Sequence, residues 1–272
     1  MTETAGRPHR AGIAAPTRTD SAGTQRSYIR FAALGDSVTH GLGDPQGDGS
    51  RGWARILADA IGNDHDVSFC NLAQPGATTS DVRFEQLTGA VEHRPHIAAL
   101  IVGLNDTMRS SWDSDTVRSD LMMCARRLAG QGATLLTVRF HDHGRVFRLL
   151  PRFIAHHMRE RIEVLNSVYD DIHQLYGGLR VDLAAHPGIY DPEFWSIDRL
   201  HPSELGHRAL AHEFAAVLEE HGLVFEPPAL DLDGEATRFE ELRRLAVEGV
   251  PWLGRRVRDL APGAIRSLMR RL

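Results

Sequence analysis

Phe31-Ala-Ala-Leu-Gly-Asp-Ser-Val-Thr-His-Gly41 is the stretch on which the reading of this chain turns. The apolar run from Tyr28 to Leu34 has the character of a buried strand. It breaks at Gly35, and a serine, Ser37, follows two residues later. Open α/β sheets carry their reactive groups just past the carboxyl ends of strands, beside glycines. A serine hydroxyl is a weak nucleophile alone, so the placement gains chemical meaning only if a base and an anion-stabilising pocket follow.

Outward from this stretch, strand and helix patterns alternate. Trp53, Ile56, Leu57, Ala60 and Ile61 form one helical stripe, and Val67 to Leu72 reads as a second strand. A helix capped by Thr79 or Ser80 should run through Leu87. Ile97 to Val102 is a continuous apolar run, followed directly by Gly103-Leu-Asn-Asp-Thr107. Helices are expected over Thr116 to Leu128, Phe153 to Tyr176 and Glu204 to His221, with strands at Ala133 to Val138 and Leu179 to Leu183. Asp191 to Pro202 reads as irregular. Strands separated by long helices imply βαβ crossovers and a parallel sheet. The loops after Leu34, Leu72 and Val102 then leave the same edge and converge on one crevice.

The chemistry in those loops is consistent with a serine nucleophile. Asp198-Arg-Leu-His201 offers a base and a carboxylate to orient it. Gly76 presents a backbone N–H with no side chain in the way, and Asn105 an uncharged amide donor. The N–H of Ser37 itself would be a third donor.

Here the sequence resembles the SGNH hydrolase superfamily, the GDSL-type esterases and lipases. Its blocks are matched by Gly35-Asp36-Ser37 with Thr39 and Gly41, Asn71-Leu-Ala-Gln-Pro-Gly76, Gly103-Leu-Asn105-Asp106 and Asp198-Arg-Leu-His201-Pro202. The similarity spans about Tyr28 to His221. It implies a flavodoxin-like, three-layer α/β/α sandwich with a mainly parallel central sheet. It also implies metal-free hydrolysis of esters through an acyl-enzyme on Ser37, with His201 as base, Asp198 as orienter and an oxyanion hole from Ser37, Gly76 and Asn105. The chain lacks the Gly-x-Ser-x-Gly elbow of the α/β-hydrolases. His40 departs from the family pattern beside the nucleophile. The same residues would serve acyl transfer to a sugar or other alcohol, and a non-catalytic binding module on this fold is the reading from a different class.

Asp191 is the reserve orienter, ten residues from His201, and Asp36 and Asp106 are expected to brace their loops. His141 and His143 read first as solvated loop histidines and second as a pocket wall, and the loop from Phe140 to Phe153 could wall an acyl pocket. The 15 histidines include no His-Glu-x-x-His, and no cysteine pair accompanies them, so neither a metal nor another cofactor is expected.

Composition bounds the rest. The chain has 272 residues, a net charge of −5 and 31 basic residues, all arginine, which gives no reason to expect nucleic acid as partner. Cys70 and Cys124 lie far apart in apolar segments and read as reduced thiols of a cytoplasmic protein. Residues 1–26 read as a disordered tail without a secretory core, and residues 27–225 as the catalytic domain. Pro227-Pro228 opens a linker to a basic amphipathic helical extension within 226–272. Its arginines interleave with Trp252, Leu253 and Val257, so residues 239–272 could pack on a protein surface or lie on an anionic membrane. A small-molecule or lipid ester is the expected substrate. The acyl length, leaving alcohol and oligomeric state are not legible.

Overall fold

The computed structural model describes residues 13, 15–19, 25–47, 49–147 and 151–230. Its strands are β1 (Thr17–Thr19), β2 (Gln25–Gly35), the short pair β3 (Pro45–Gln46) and β4 (Gly49–Ser50), β5 (Asp66–Asn71), β6 (Ile97–Ile101), β7 (Thr134–Arg139) and β8 (Leu179–Asp182). Its helices are α1 (Ser37–His40), α2 (Gly52–Asp64), α3 (Thr79–Asp81), α4 (Leu87–His93), α5 (Leu104–Thr107), α6 (Ser114–Ala129), α7 (Arg152–Tyr176) and α8 (Glu204–Glu220). The expected Trp53–Ile61 stripe is buried along α2, and every residue of β6 is buried.

Five strands run parallel in the order β5-β2-β6-β7-β8. Phe31 of β2 stands opposite Phe69 on one side and Ile97 on the other. The chain leaves β2 for β5 and then crosses back to β6, so the strand order reverses beside β2. A crevice opens at such a switch point, outside the carboxyl ends of the strands. Helices α2 and α8 cover one face, where Trp53 stacks on Phe214 at 4.6 Å between ring centroids. Helices α4, α6 and α7 cover the other. This is the flanked parallel sheet that the resemblance implied.

Three buried side chains finish the central strands. The Gln86 amide receives the Gly35 N–H on Oε1 and donates to the Gly35 carbonyl, each at 2.9 Å. The Tyr169 hydroxyl takes the Val102 N–H at 3.0 Å and donates to the Val102 carbonyl at 2.9 Å. Asn166 does the same for Phe140, at 2.8 and 2.9 Å. Each strand therefore stops pairing with its neighbour without stranding a buried peptide group. Tyr169→Phe removes only the hydroxyl and leaves two buried backbone groups unpaired. It is expected to cost about 2–3 kcal/mol in urea unfolding, and an unchanged midpoint would contradict this account.

The structure corrects several boundaries. Part of the segment read as a tail joins the sheet, since Thr17–Thr19 pairs antiparallel with Gln25–Ser27. Neither Thr79 nor Ser80 caps the helix after β5. Thr78 does, in a capping box with Asp81, because its side chain accepts the Asp81 N–H while Asp81 accepts the N–H of Thr78. A π-helical turn, Val82–Gln86, follows and aims Gln86 at Gly35, and the helix then runs on to His93. No disulfide joins Cys70 and Cys124. No helix among the described residues is long and apolar enough to cross a membrane. The basic extension over residues 239–272 lies outside the described residues.

Candidate active site

Asp36 terminates β2 and caps α1 by accepting the Val38 N–H at 3.0 Å, which makes Ser37 the first residue of a one-turn helix. The N–H of a first helical residue has no intrahelical acceptor, so it points outward as a donor. Gly43 then brings the chain against the loop that carries His201. A Cβ there would sit 1.9 Å from the Pro202 carbonyl oxygen, and its φ of +102° suits glycine.

His201 Nε2 lies 2.9 Å from Ser37 Oγ, and His201 Nδ1 lies 2.7 Å from Asp198 Oδ2. The other carboxylate oxygen of Asp198 accepts the N–H groups of Leu200 and His201 at 2.9 and 3.1 Å. Burial pushes the Asp198 carboxyl up, but the His201 ring and these N–H groups outweigh it and hold the group below the usual carboxylate range. A carboxylate facing Nδ1 places the imidazole proton there. Nε2 is then left bare toward the serine hydroxyl, an arrangement that can activate an alcohol as a nucleophile. The ten-residue offset of Asp191 is not bridged, since no bond between Asp191 and His201 occurs among the described residues.

Gly76 and Asn105 face the same loop system. Gly76 has φ +79° and open space where a side chain would stand. Asn105 is buried on α5 and donates through Nδ2 to the Ala77 carbonyl at 3.1 Å, with Asp36 Oδ2 at 3.4 Å. Asp36 and Asp106 brace their loops as expected, Asp106 by accepting both the N–H and the hydroxyl of Thr79. Burial raises both carboxyls to about 6. His40 Nδ1 meets the Ala73 carbonyl at 3.1 Å.

His141 and His143 are not solvated loop residues. Both are buried, joined ring to ring at 2.9 Å, and packed with Trp195 behind the turn that holds Asp198 and His201. The loop's apolar neighbours, not its sequence, decide this. His141 also helps line a 40 Å³ cavity with Asp36, Trp53, Phe140 and Trp195. Of the loop read as an acyl wall, Phe147 packs against the core and His143, while Leu149 and Leu150 lie outside the described residues.

These groups set the pH dependence of stability. Burial lowers His143 and His207 to about 4 and His141 well below its ordinary value. From pH 6.5 down to about 4, the unfolded chain accepts protons that these folded histidines refuse, so stability is lost on acidification. Asp36 and Asp106 act in the opposite sense, since raised carboxyls bind protons in the folded state first and add stability as pH falls from about 6 toward 3.8. The lowered histidines, with His96 and His173 also lowered by burial and nearby arginines, outnumber the two raised carboxyls. The unfolded chain therefore binds more protons, and stability falls between pH 6 and 4. Urea midpoints at pH 7, 5.5 and 4.5 should fall in that order, and a midpoint rising on acidification would refute the assignment.

Reading the sequence passed over Gln86, Asn166 and Tyr169, and also Arg109 and Arg161. A signal existed for Arg161, which interrupts the buried stripe Ile154, Met158, Ile162 and Leu165 of α7. The same signal marks Asn166, which falls on that buried stripe as well, whereas Gln86, Tyr169 and Arg109 interrupt no apolar stripe of that kind.

At the switch point of a doubly wound sheet the crevice brings serine, histidine and aspartate into contact, an arrangement of the kind serine hydrolases use. Residues 33–209 match the GDSL-like lipase/acylhydrolase family, so the chain belongs to that family and is a carboxylic ester hydrolase. Among solved structures, a lipase/acylhydrolase from Enterococcus faecalis superposes with a TM-score of 0.57 at 21% identity, covering 74% of this chain and 99% of that one. The acetylxylan esterase Axe2 from Geobacillus stearothermophilus gives 0.57 at 19%, covering 73% and 95%. The psychrotrophic esterase EstA from Pseudoalteromonas sp., in a form inhibited by monoethylphosphonate, gives 0.56 at 13%, covering 71% and 97%. At these identities the likeness is one of fold. No curated protein sequence matches the chain.

Proposed function

We infer that this ester hydrolase works through an acyl-enzyme on Ser37. His201 Nε2 takes the hydroxyl proton as Ser37 Oγ attacks the ester carbonyl carbon. The carbonyl π pair moves onto oxygen, where the N–H groups of Ser37 and Gly76 and the Asn105 amide receive the negative charge. The intermediate collapses, the C–O bond to the leaving alcohol breaks, and His201 returns the proton to that alcohol. Water, deprotonated by His201, then attacks the acyl-enzyme and releases the acid with Ser37 restored. Asp198 keeps the ring oriented throughout and stabilises its charged form.

The observation that carries this reading is the continuous chain Ser37 Oγ, His201 and Asp198, at 2.9 and 2.7 Å. The phosphonate-inhibited form of EstA supports a phosphonate as probe. The unpaired thiols of Cys70 and Cys124 support work in a reducing, cytoplasmic setting. The test is incubation with a p-nitrophenyl alkylphosphonate, followed by mass spectrometry and p-nitrophenyl acetate hydrolysis. One adduct, on the peptide bearing Ser37, should appear in step with loss of activity. An adduct elsewhere, or full activity beside complete labelling of Ser37, would overturn the reading.

A further inference from the structure

Arg161 and Arg109 stand behind the residues assigned to the oxyanion. Arg161 sits on α7 with its side chain largely buried, and Nη1 donates to the carbonyls of Thr107 and Arg109, each at 2.8 Å. Thr107 is the last residue of α5, the helix that carries Asn105. The final carbonyls of so short a helix need partners from outside it, and a cation is favourable at that end. Arg109 in turn donates through Nη2 to the Gly76 carbonyl at 3.0 Å. Asn105 holds the next carbonyl, that of Ala77, at 3.1 Å. The contacts close a ring that runs from Asn105 through α5 to Arg109, across to Gly76 and Ala77, and back to Asn105. Arg161 pins this ring to α7, and its guanidinium lies 5.7 Å from the centre of the Trp112 ring.

Neither arginine has an ion-pair partner among the described residues. Asp106 feels the charge of Arg109, but its oxygens are occupied by Thr79. Other arginines of the chain are matched by carboxylates, for example Arg83 with Asp120 and Arg118 with Asp171. A buried guanidinium met only by carbonyls is expensive where a carboxylate could have been placed. Here each guanidinium spends its hydrogen bonds on the backbone that carries Gly76 and Asn105, which fixes that backbone directly.

We propose that Arg161 and Arg109 are positioning residues, a two-arginine clasp that holds Gly76 and Asn105 in register for the oxyanion. The proposal rests on the acyl-enzyme reading above. Both the formation and the hydrolysis of an acyl-enzyme pass through an oxyanion, so loosening the clasp should slow both steps together. Ground-state binding of the ester should change little.

The experiment compares Arg161→Met, Arg161→Lys, Arg109→Met and the double Met variant on p-nitrophenyl acetate, with Ser37→Ala as control. Burst kinetics gives acylation, the steady state gives deacylation, and thermal melting reports folding. Arg161→Met and Arg109→Met should each lower both rate constants by about 10- to 100-fold with KM within about twofold. Arg161→Lys should recover part of the loss. The double variant should be no slower than the slower single, as expected of groups acting as one unit. Should Arg161→Met not fold, Arg109→Met and Arg161→Lys carry the same comparison. Unchanged rate constants in folded variants, beside an inactive Ser37→Ala, would overturn the clasp and leave the acyl-enzyme standing. Activity persisting in Ser37→Ala would overturn the acyl-enzyme instead, and the clasp with it.

Discussion

Replacing Ser37 by alanine is expected to lower kcat by about 10⁶ while leaving the protein folded. The side chain is small and sits at the start of a one-turn helix whose cap is Asp36, so the helix and its Gly41 stop do not depend on the hydroxyl. What is lost is the atom that His201 Nε2 faces at 2.9 Å. The remaining donors would still bind an oxyanion, but no nucleophile would be placed to generate one. Steady-state hydrolysis of p-nitrophenyl acetate by purified wild-type and Ser37→Ala protein checks this, with far-UV circular dichroism to confirm the fold. Equal rates would remove Ser37 from the mechanism.

Asp198→Asn should cost about 10⁴ in kcat, and the structure says why an isosteric change does so much. One oxygen of Asp198 is held by two backbone N–H groups, those of Leu200 and His201. An asparagine would keep its carbonyl oxygen in that position, since its amide nitrogen cannot accept those bonds. Its NH₂ would then face His201 Nδ1 and donate to it. The imidazole proton would be driven to Nε2, the wrong nitrogen for taking a proton from Ser37. The expected result is a large fall in kcat with KM little changed. Asp191→Asn, whose residue makes no contact with His201 among the described residues, should behave as wild type. Activity retained in Asp198→Asn would show that the ring is oriented by something else.

The Ser-Gly-Asn-His set and its aspartate were legible in the sequence because each motif is local. Gly35-Asp36-Ser37 is a strand end, a cap and the proposed nucleophile within three residues, and Asp198-Arg-Leu-His201 closes its own turn. The alternation of apolar runs with helical stripes was legible for the same reason, since burial on both faces writes itself into consecutive residues such as Ile97–Ile101. The fold class and the order of the site residues were thereby determined by the sequence alone.

Tertiary structure alone decided the rest. His141 and His143 carry no mark of burial in a loop rich in polar residues, and it is the packing of Trp195, Tyr190 and Phe147 against them that removes water. The pairing of Thr17–Thr19 with β2 depends on a sheet edge that short polar residues do not announce. Gln86, Asn166 and Tyr169 finish strands from which they lie 26 to 67 residues away in the chain. Arg161 reaches the end of α5 across 54 residues. For these last two cases the physical reason is the same. A hydrophobic period reports which face of an element is buried, whereas a buried backbone group takes whichever polar side chain the packing delivers, and no local pattern specifies that partner.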